Sequence, residues 1–269
     1  MAWTTSLFCG PTSYHVYPAS QQFSKPIDIF ALDGMNAVLT ALGNTVILFA
    51  LRKSHSLQSP SKALLFGLAL TDLVVGLVVL PLFTAYCLAI FLETPTYFCA
   101  IAVTCGRIST FNGSVSLATI ATIAIDRYLA FRLRLRYREL VTLDRVICVL
   151  VVEYIIGAPW SGSWFWSVRA SLLTGAAWMF TCCLITVLCY LSIHRGLRRH
   201  VTQIHQRRDV CESADFNVLQ YKKTVNDMPW IFGLLLVCYI PYLSTLFAIL
   251  VLGLNNSTRF ALPCYCNLF

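Results

Sequence analysis

Long apolar stretches recur along this chain, and each has the length that crosses a lipid bilayer as a helix. Hydrophobic residues make up 58% of the 269 residues and charged residues 12%, about half the charged share of a typical soluble domain. A soluble fold of this length has too little interior for so much apolar surface. The sequence therefore predicts an all-α bundle of membrane-spanning helices. Six complete spans are expected near residues 29–51, 62–84, 98–126, 146–160, 171–193 and 229–252, and a seventh begins near Phe260.

The segments outside the spans give no sign of a second domain. Residues 1–28 are expected to form a short, irregular extracellular tail, and residues 29–269 a single membrane domain that ends within the seventh span. The twelve cysteines lie mostly in apolar runs, where they act as small buried side chains rather than as disulfide or metal sites. Since the sequence has no metal motif, phosphate loop or nucleophile–base set, we expect neither an enzyme nor a nucleic-acid-binding protein.

Positive charge is concentrated in three of the loops. Sixteen of the twenty lysines and arginines follow the first, third and fifth spans, within residues 52–62, 127–145 and 195–223. Because cytoplasmic loops carry such an excess of basic residues, we expect a multi-pass plasma-membrane protein whose N-terminus lies outside the cell. The stretch from His194 to Arg208 is expected to continue the fifth helix into the cytosol, where its basic face meets anionic lipids or an acidic partner.

The tripeptide Asp126-Arg127-Tyr128 ends the third apolar stretch on its cytoplasmic side. Charge at this depth is costly unless it is paired. An acid and a base side by side would form a polar latch where the helix leaves the bilayer. The alternative is an arginine that only reaches toward the lipid headgroups.

Several motifs, in chain order, resemble those of the rhodopsin-like (class A) G-protein-coupled receptors. The first span has Gly43-Asn44, the second has the run Leu68–Leu73, and the third ends in Asp126-Arg127-Tyr128. The fifth span has Cys189-Tyr190, and the sixth has Cys238–Pro241, which is similar to the family's Cys-Trp-x-Pro. A short second outer loop without cysteine and a fifth span without proline resemble the melanocortin, adenosine and cannabinoid branch.

This resemblance implies a receptor that passes a signal from an unidentified extracellular small molecule or peptide to a heterotrimeric G protein. Asp126, Arg127, Tyr128 and Tyr190 would form the coupling switch. At rest Arg127 would pair with Asp126, and on activation it would turn to meet the G protein. Such a pair is a bistable element of the kind that switching needs.

The resemblance also implies a polar core and a hinge. Asn44, Asp72 and Ser116 would form the core and hold a sodium ion, with a neutral Asp72 hydrogen-bonded to Asn44 as the alternative. Pro241 removes a backbone hydrogen bond and would kink the sixth span. Tyr239, which stands where the family usually has tryptophan, would pack against a ligand or in the core.

A ligand site between the third, fifth and sixth spans is expected, but no ligand class carries over residue by residue. Arg107 is an unusual cation within an apolar span, which would pair with Glu93, meet an anionic ligand or reach the outer headgroups. The candidate pocket residues are Arg107, Ser109, Gly113, Tyr239 and Leu246.

Two other functions stay open at this point. The chain lacks the family's Asn-Pro-x-x-Tyr in the seventh span, which would suit a truncated form that does not signal and is retained or pairs with a full-length receptor. A small transporter or channel would instead show internal repeats or several charges along one path. The deep charges Asp72, Arg107 and Glu153 lie on three different spans.

Overall fold

The computed structural model describes residues 5–9, 12–16, 26–53, 59–92, 95–133, 136–161 and 168–206 of the chain. The sixth predicted span and the start of the seventh lie outside these residues. The elements, in chain order, are β1 (Thr5–Cys9), β2 (Thr12–Val16), α1 (Pro26–Lys53), α2 (Ser59–Val74), a π-helical turn (Val75–Val79), α3 (Leu80–Phe91), α4 (Pro95–Leu133), α5 (Tyr137–Leu140), α6 (Leu143–Ser161) and α7 (Val168–Gln206).

Each of the five predicted spans in the described part of the chain is helical. α6 matches the fourth span, but Asp144, Arg145 and Glu153 make it more polar than the others. α7 continues to Gln206, which confirms the predicted extension of the fifth helix as far as that residue. Within the described residues, four stretches are long and apolar enough to cross a membrane: Phe30–Lys53, Ser59–Ala89, Ala100–Leu133 and Leu173–Gly196.

The expectation of an irregular N-terminal tail is wrong for Thr5–Cys9 and Thr12–Val16. β1 and β2 form an antiparallel hairpin in which Thr5 pairs with Val16 and Cys9 with Thr12. Both strands are rich in β-branched and aromatic residues, which favour extended chain. Gly10-Pro11 between them is a turn signal that was available in the sequence. The tail therefore adds a small sheet to an otherwise helical bundle, and β1 packs against α4.

The second span is interrupted by the π-helical turn just before Pro81. The π-helical turn precedes that proline, and its end is marked by the Leu80 amide donating to the Val75 carbonyl. Proline has no amide hydrogen to donate, so a helix commonly changes its winding next to one. Gly76 in this turn permits a close approach to α1, because a Cβ there would lie 2.8 Å from the main-chain nitrogen of Ala41.

α4 occupies the centre of the described bundle. It packs against α2, α3, α6 and α7, and Val115 and Thr119 at its middle are almost fully buried. Large apolar side chains on α1 and α6, such as Phe49 and Ile155, point outward. Apolar side chains on the outside and polar pairs between helices are the arrangement that a lipid environment favours. The helices packed around α4 therefore fix the positions of its polar side chains.

Candidate functional site

The carboxylate of Asp126, at the inner end of α4, is the centre of a buried polar cluster. Its side chain is 4% exposed. Ser61 of α2 donates a hydrogen bond to Oδ2 at 2.8 Å, and Tyr137 of α5 donates one to Oδ1 at 2.5 Å. The two hydroxyl oxygens lie 3.4 Å apart. Both carboxylate oxygens therefore have donors, and we call Ser61, Asp126, Arg127 and Tyr137 the Asp126 cluster.

Arg127 forms the weakest link of this cluster. Its Nε lies 3.9 Å from Asp126 Oδ2, and its side chain is 30% exposed. An ion pair this open to solvent stabilises its closed arrangement by less than about 1 kcal/mol. Each hydrogen bond to the ionised carboxylate contributes about 1.5–3 kcal/mol. Ser61 and Tyr137 therefore hold Asp126 in place, while Arg127 can turn away at small cost.

Tyr137 is set by the short helix that follows the third span. The Val141 amide donates to the Tyr137 carbonyl at 2.9 Å, and Arg145 donates to the Leu140 carbonyl at 2.7 Å, which satisfies the end of α5. Burial raises the pKa of Tyr137 above its usual 10.0, and the hydrogen bond to Asp126 raises it further. The phenol is therefore protonated at physiological pH and acts as the donor.

The other two predicted switch residues lie outside this cluster. Tyr128 accepts a 2.8 Å hydrogen bond from Arg132, one turn further along α4. The ring centroid of Tyr190 on α7 lies 6.2 Å from that of His194. Of the four predicted switch residues, the structure brings Asp126 and Arg127 together, and it adds Ser61 and Tyr137, which the sequence pattern did not single out.

The predicted polar core is assembled in part. Ser116 Oγ lies 3.1 Å from Thr71 Oγ1 and 3.5 Å from Asp72 Oδ1. Thr71 itself donates to the Leu68 carbonyl at 2.8 Å, so it can accept the Ser116 hydrogen. Asp72 and Ser116 are thus neighbours, joined by Thr71, which was not predicted.

Asn44 does not join this group. Its amide nitrogen donates to the Thr40 carbonyl of the same helix at 2.9 Å, and the two described residues Asn44 and Asp72 share no hydrogen bond. The alternative of a neutral Asp72 bonded to Asn44 is therefore wrong in this structure. The physical reason is that the Thr40 carbonyl, in the same helix, already accepts a hydrogen bond from the Asn44 amide.

The candidate pocket residues on α4 fall on two faces. Ser109 and Gly113 are four residues apart and share a face, whereas Arg107 lies about 160° around the helix from Ser109 at 3.6 residues per turn. A Cβ at Gly113 would meet no atom within 4 Å among the described residues, so among them there is open space beside Gly113. Tyr239, Pro241 and Leu246, the remaining predicted hinge and pocket residues, lie outside the described residues.

Glu153 of α6 is a polar contact that the sequence marked only as a charge within a span. Its Oε2 lies 2.9 Å from Thr119 Oγ1, and its Oε1 lies 2.6 Å from Thr122 Oγ1. Both threonines belong to α4. The acid within the fourth span is therefore a link between two helices.

A second buried acid, Asp33 of α1, was not anticipated. It is 1% exposed, and Thr84 of α3 donates a hydrogen bond to its Oδ2. Its Oδ1 has no partner within the described residues. A single acid near the start of an apolar helix resembles an interfacial residue, so spacing alone does not reveal this contact. It joins the first and second spans at the end opposite the Asp126 cluster.

Exposed basic side chains surround the Asp126 cluster. Gly196 near the end of α7 lies against the ring of Phe131 at the end of α4, so the basic part of α7 is close to this face. The exposed arginines of α4, α5, α6, α7 and the link before α5 are Arg132, Arg136, Arg138, Arg145, Arg195 and Arg198. Together they give this end of the bundle a positive surface around a partly exposed Arg127.

Residues 43–166 match the profile of the family described as 7 transmembrane receptor (rhodopsin family). This region runs from the second half of α1 past the end of α6, and it contains the Asp126 cluster, Asp72 and Ser116. The matching region thus includes the groups that the structure brings together.

Curated proteins similar to this chain include receptors of several kinds. Muscarinic acetylcholine receptor gar-3 of Caenorhabditis elegans is 26% identical over 170 residues, covering 61% of this chain and 27% of that protein. Melanopsin of Phodopus sungorus is 29% identical over 184 residues, covering 58% and 38%. Adenosine receptor A2b of Mus musculus is 30% identical over 138 residues, covering 47% and 36%. The chain thus spans 27% to 38% of the length of these relatives.

Proposed function

Because residues 43–166 match the rhodopsin family of seven-transmembrane receptors, we propose that the chain belongs to this family and transmits an extracellular signal to a heterotrimeric G protein. The observation that carries this function is the Asp126 cluster. Ser61 and Tyr137 hold the Asp126 carboxylate from two elements, while Arg127 beside it is 30% exposed. A guanidinium so placed can leave its weak ion pair and offer its donors to a partner.

Activation in this proposal breaks the contacts that converge on Asp126. A ligand bound on the opposite side shifts the bundle toward a state in which Arg127 faces the cytosol. The ligand can shift this equilibrium only by its difference in affinity for the two states. The surrounding arginines then attract an acidic surface on the G protein, which raises the rate of encounter.

The proposed orientation places the N-terminus outside the cell and the Asp126 cluster inside. The support is the distribution of basic residues, since the loops after the first, third and fifth spans hold sixteen of twenty lysines and arginines. The protein is then a multi-pass protein of the plasma membrane, with the β1–β2 hairpin on the outer side.

The proposed ligand site lies on the outer half of α4, on the face that carries Ser109 and Gly113. Its support is the open space beside Gly113. Arg107 lies on another face of α4 and is therefore not proposed to line the same pocket. The relatives named for acetylcholine and adenosine favour a small molecule over a peptide as the ligand.

A sodium ion near Asp72 remains part of the proposal. A hard cation prefers oxygen ligands, and the carboxylate of Asp72 and the hydroxyls of Ser116 and Thr71 fit that preference. The ion would neutralise a carboxylate that lies within the bilayer. Asn44, whose amide is used within α1, is not proposed as a ligand.

The family match favours a receptor over a small transporter or channel. It gives no support to a truncated form that does not signal. Both alternatives differ from the proposal in one measurable respect, because only a receptor coupled to a G protein changes the rate of guanine nucleotide exchange.

We expect Arg127→Ala to abolish basal coupling. Charge-assisted contacts of about 1.5–3 kcal/mol correspond to a loss of at least about tenfold in coupling. The measurement is binding of a non-hydrolysable GTP analogue in membranes that contain the receptor and one G-protein class at a time.

The matched control is Arg132→Ala, which removes an exposed arginine one turn further along α4. This variant should keep most of the exchange, because Arg132 contacts Tyr128 rather than the Asp126 cluster. Equal exchange in wild type and Arg127→Ala would contradict the proposed role of Arg127. Failure of every G-protein class to respond to wild type would contradict the proposed function.

A further inference from the structure

Both oxygens of the Glu153 carboxyl group on α6 contact threonine hydroxyls of α4. Thr122 Oγ1 lies 2.6 Å from Oε1, and Thr119 Oγ1 lies 2.9 Å from Oε2. Thr119 Oγ1 is also 2.9 Å from the main-chain oxygen of Val115. The Thr119 hydroxyl therefore stands between two oxygen atoms, and it has only one hydrogen to donate.

Counting hydrogens distinguishes two protonation states of Glu153. If Thr119 donates to Val115, whose carbonyl can only accept, the short contact to Glu153 needs a hydrogen that the acid itself supplies. If Thr119 donates to Glu153, this contact needs no hydrogen from the acid, and the bond to Val115 is lost. Only the protonated acid satisfies both contacts of Thr119 at once, while Thr122 donates to Oε1 in either state.

The surroundings favour the protonated state. Among the residues that the structure describes, Glu153 forms no ion pair, and an unpaired carboxylate within a bilayer is costly. The titratable groups within electrostatic reach of it are Tyr154 beside it on α6 and Cys182 on α7. Neither group supplies a positive charge, since both are neutral when protonated.

Two further close contacts between α6 and α4 lie beside Glu153. A Cβ at Gly157, one turn beyond Glu153, would lie 3.1 Å from Val115 Cγ2 and 3.2 Å from Ser114 Oγ. The rings of Tyr154 and Phe111 meet edge to face, with centroids 5.9 Å apart. The absence of a side chain at Gly157 thus lets α6 approach α4 closely enough for Glu153 to reach both threonines.

The link lies close to the Asp126 cluster on the same helix. Thr122 precedes Asp126 by four residues, which is about one turn of helix. A shift of α4 along its axis would move the Asp126 carboxylate away from Ser61 and Tyr137, which belong to other elements. Hydrogen bonds weaken within a few tenths of an ångström beyond their usual length. The position of α4 along its axis therefore decides whether the Asp126 cluster forms.

We propose that Glu153 is a neutral carboxylic acid that forms hydrogen bonds with Thr119 and Thr122. These bonds fix the position of α4 along its axis, and that position lets Asp126 meet Ser61 and Tyr137. Glu153 is then a positioning residue for the switch. The positioning role rests on the proposed coupling to a G protein, whereas the protonation state and the link between helices do not.

Infrared spectroscopy of the purified full-length chain tests the protonation state. A protonated carboxylic acid has a C=O stretching band that is separate from those of carboxylates and amides. We expect this band to lose intensity in Glu153→Gln and to keep it in Glu139→Gln, which changes an exposed acid of α5. An unchanged band in Glu153→Gln would overturn the assignment of a neutral Glu153.

Thermal unfolding tests the link between the helices. Glu153→Gln should keep the midpoint, since its amide can donate to Thr119 and accept from Thr122. Glu153→Leu and the double variant Thr119→Val with Thr122→Val remove both bonds, and each should lower the midpoint by about 5 °C. Combining the two changes should lower it no further. Unchanged midpoints in both variants, or fully additive losses, would overturn the link.

Nucleotide exchange tests the positioning role. Glu153→Leu should raise basal exchange about as much as Tyr137→Phe, and the two together should not add, because both act on the Asp126 cluster. Glu153→Gln should leave basal exchange at the wild-type rate, because its amide keeps both contacts with the threonines. An additive double variant, or a lowered midpoint with unchanged exchange, would overturn the positioning role. If wild type fails to drive exchange, the proposed coupling fails, and the infrared and thermal results still decide the rest.

Discussion

At the scale of single residues, the behaviour of Asp126 depends on side chains that are distant in the sequence. Ser61 lies 65 residues before it and Tyr137 lies 11 residues after it. Each donates to a different carboxylate oxygen, so neither can replace the other. The strength of the cluster is therefore a property of three residues, whereas Arg127 contributes a partly exposed ion pair.

We expect Tyr137→Phe to raise basal nucleotide exchange at least about tenfold, because it removes from the resting state a hydrogen bond to a carboxylate worth about 1.5–3 kcal/mol. Exchange on a matched G protein in membranes measures this change. Tyr128→Phe is the control, since its hydroxyl contacts Arg132 rather than Asp126. Equal effects of the two substitutions would contradict the role of Tyr137.

The pH dependence of this contact follows from the raised pKa of Tyr137. A folded-state pKa above the usual 10.0 means that the contact stabilises the fold below that pH and that this stability is lost as the pH rises through the raised value. Alkaline absorbance titration should show a late-ionising step in wild type that is smaller by one tyrosine in Tyr137→Phe. A wild-type titration without a late step would contradict the burial of this phenol.

At the scale of elements, the packing of α1 on the second span depends on a single missing side chain. The π-helical turn brings Gly76 so close to Ala37 and Ala41 that a Cβ would lie 2.8 Å from the Ala41 nitrogen and 3.1 Å from the Ala37 oxygen. These neighbours are backbone atoms, which cannot move aside as a flexible side chain can. The turn before Pro81 and the glycine within it therefore act together.

Gly76→Ala should destabilise the protein by about 1–3 kcal/mol, the usual cost of overpacking. Thermal unfolding of the purified chain measures this effect as a lower midpoint. Gly43→Ala is the matched control, because a Cβ there would meet no atom within 4 Å among the described residues. It should be neutral or slightly stabilising, since alanine favours helix over glycine. A Gly76→Ala midpoint at or above that of Gly43→Ala would contradict this packing.

At the scale of the whole molecule, the arrangement of charge predicts which end of the bundle meets the cytosol. The exposed arginines and the Asp126 cluster lie at one end, while Asp33 and its contact with Thr84 lie toward the other. The signalling role depends on this orientation, because Arg127 can reach a G protein only from the cytoplasmic side. The basic loops predict that orientation from the sequence alone.

An epitope tag at the N-terminus should bind antibody on intact cells. A tag between Ser54 and Gln58, in the first basic loop, should bind only after permeabilisation. The physical reason is that positively charged segments are retained in the cytosol during membrane insertion. Immunofluorescence with and without detergent measures both. An N-terminal tag that needs permeabilisation would contradict the proposed orientation and, with it, the coupling to a G protein.

The sequence alone predicts the elements well and the contacts between them poorly. Hydrophobic length locates the spans from α1 to α7, because a bilayer demands a fixed length of apolar helix. The two exceptions are local: the π-helical turn depends on the proline and the close approach of α1, and the hairpin depends on two runs too short to carry a clear period.

The sequence by itself predicted the membrane-spanning helices, the resemblance to rhodopsin-like receptors, and Asp126, Arg127 and Asp72 as charged groups at energetically costly positions. These conclusions follow from local composition and spacing, because each segment must by itself be long and apolar enough to cross the bilayer. The tertiary structure alone decided their partners: Ser61 and Tyr137 for Asp126, Thr71 beside Ser116, and Thr119 and Thr122 for Glu153. The rotation of each helix about its axis and its position along that axis determine which side chains meet. Both arise from packing between segments that are distant in the chain.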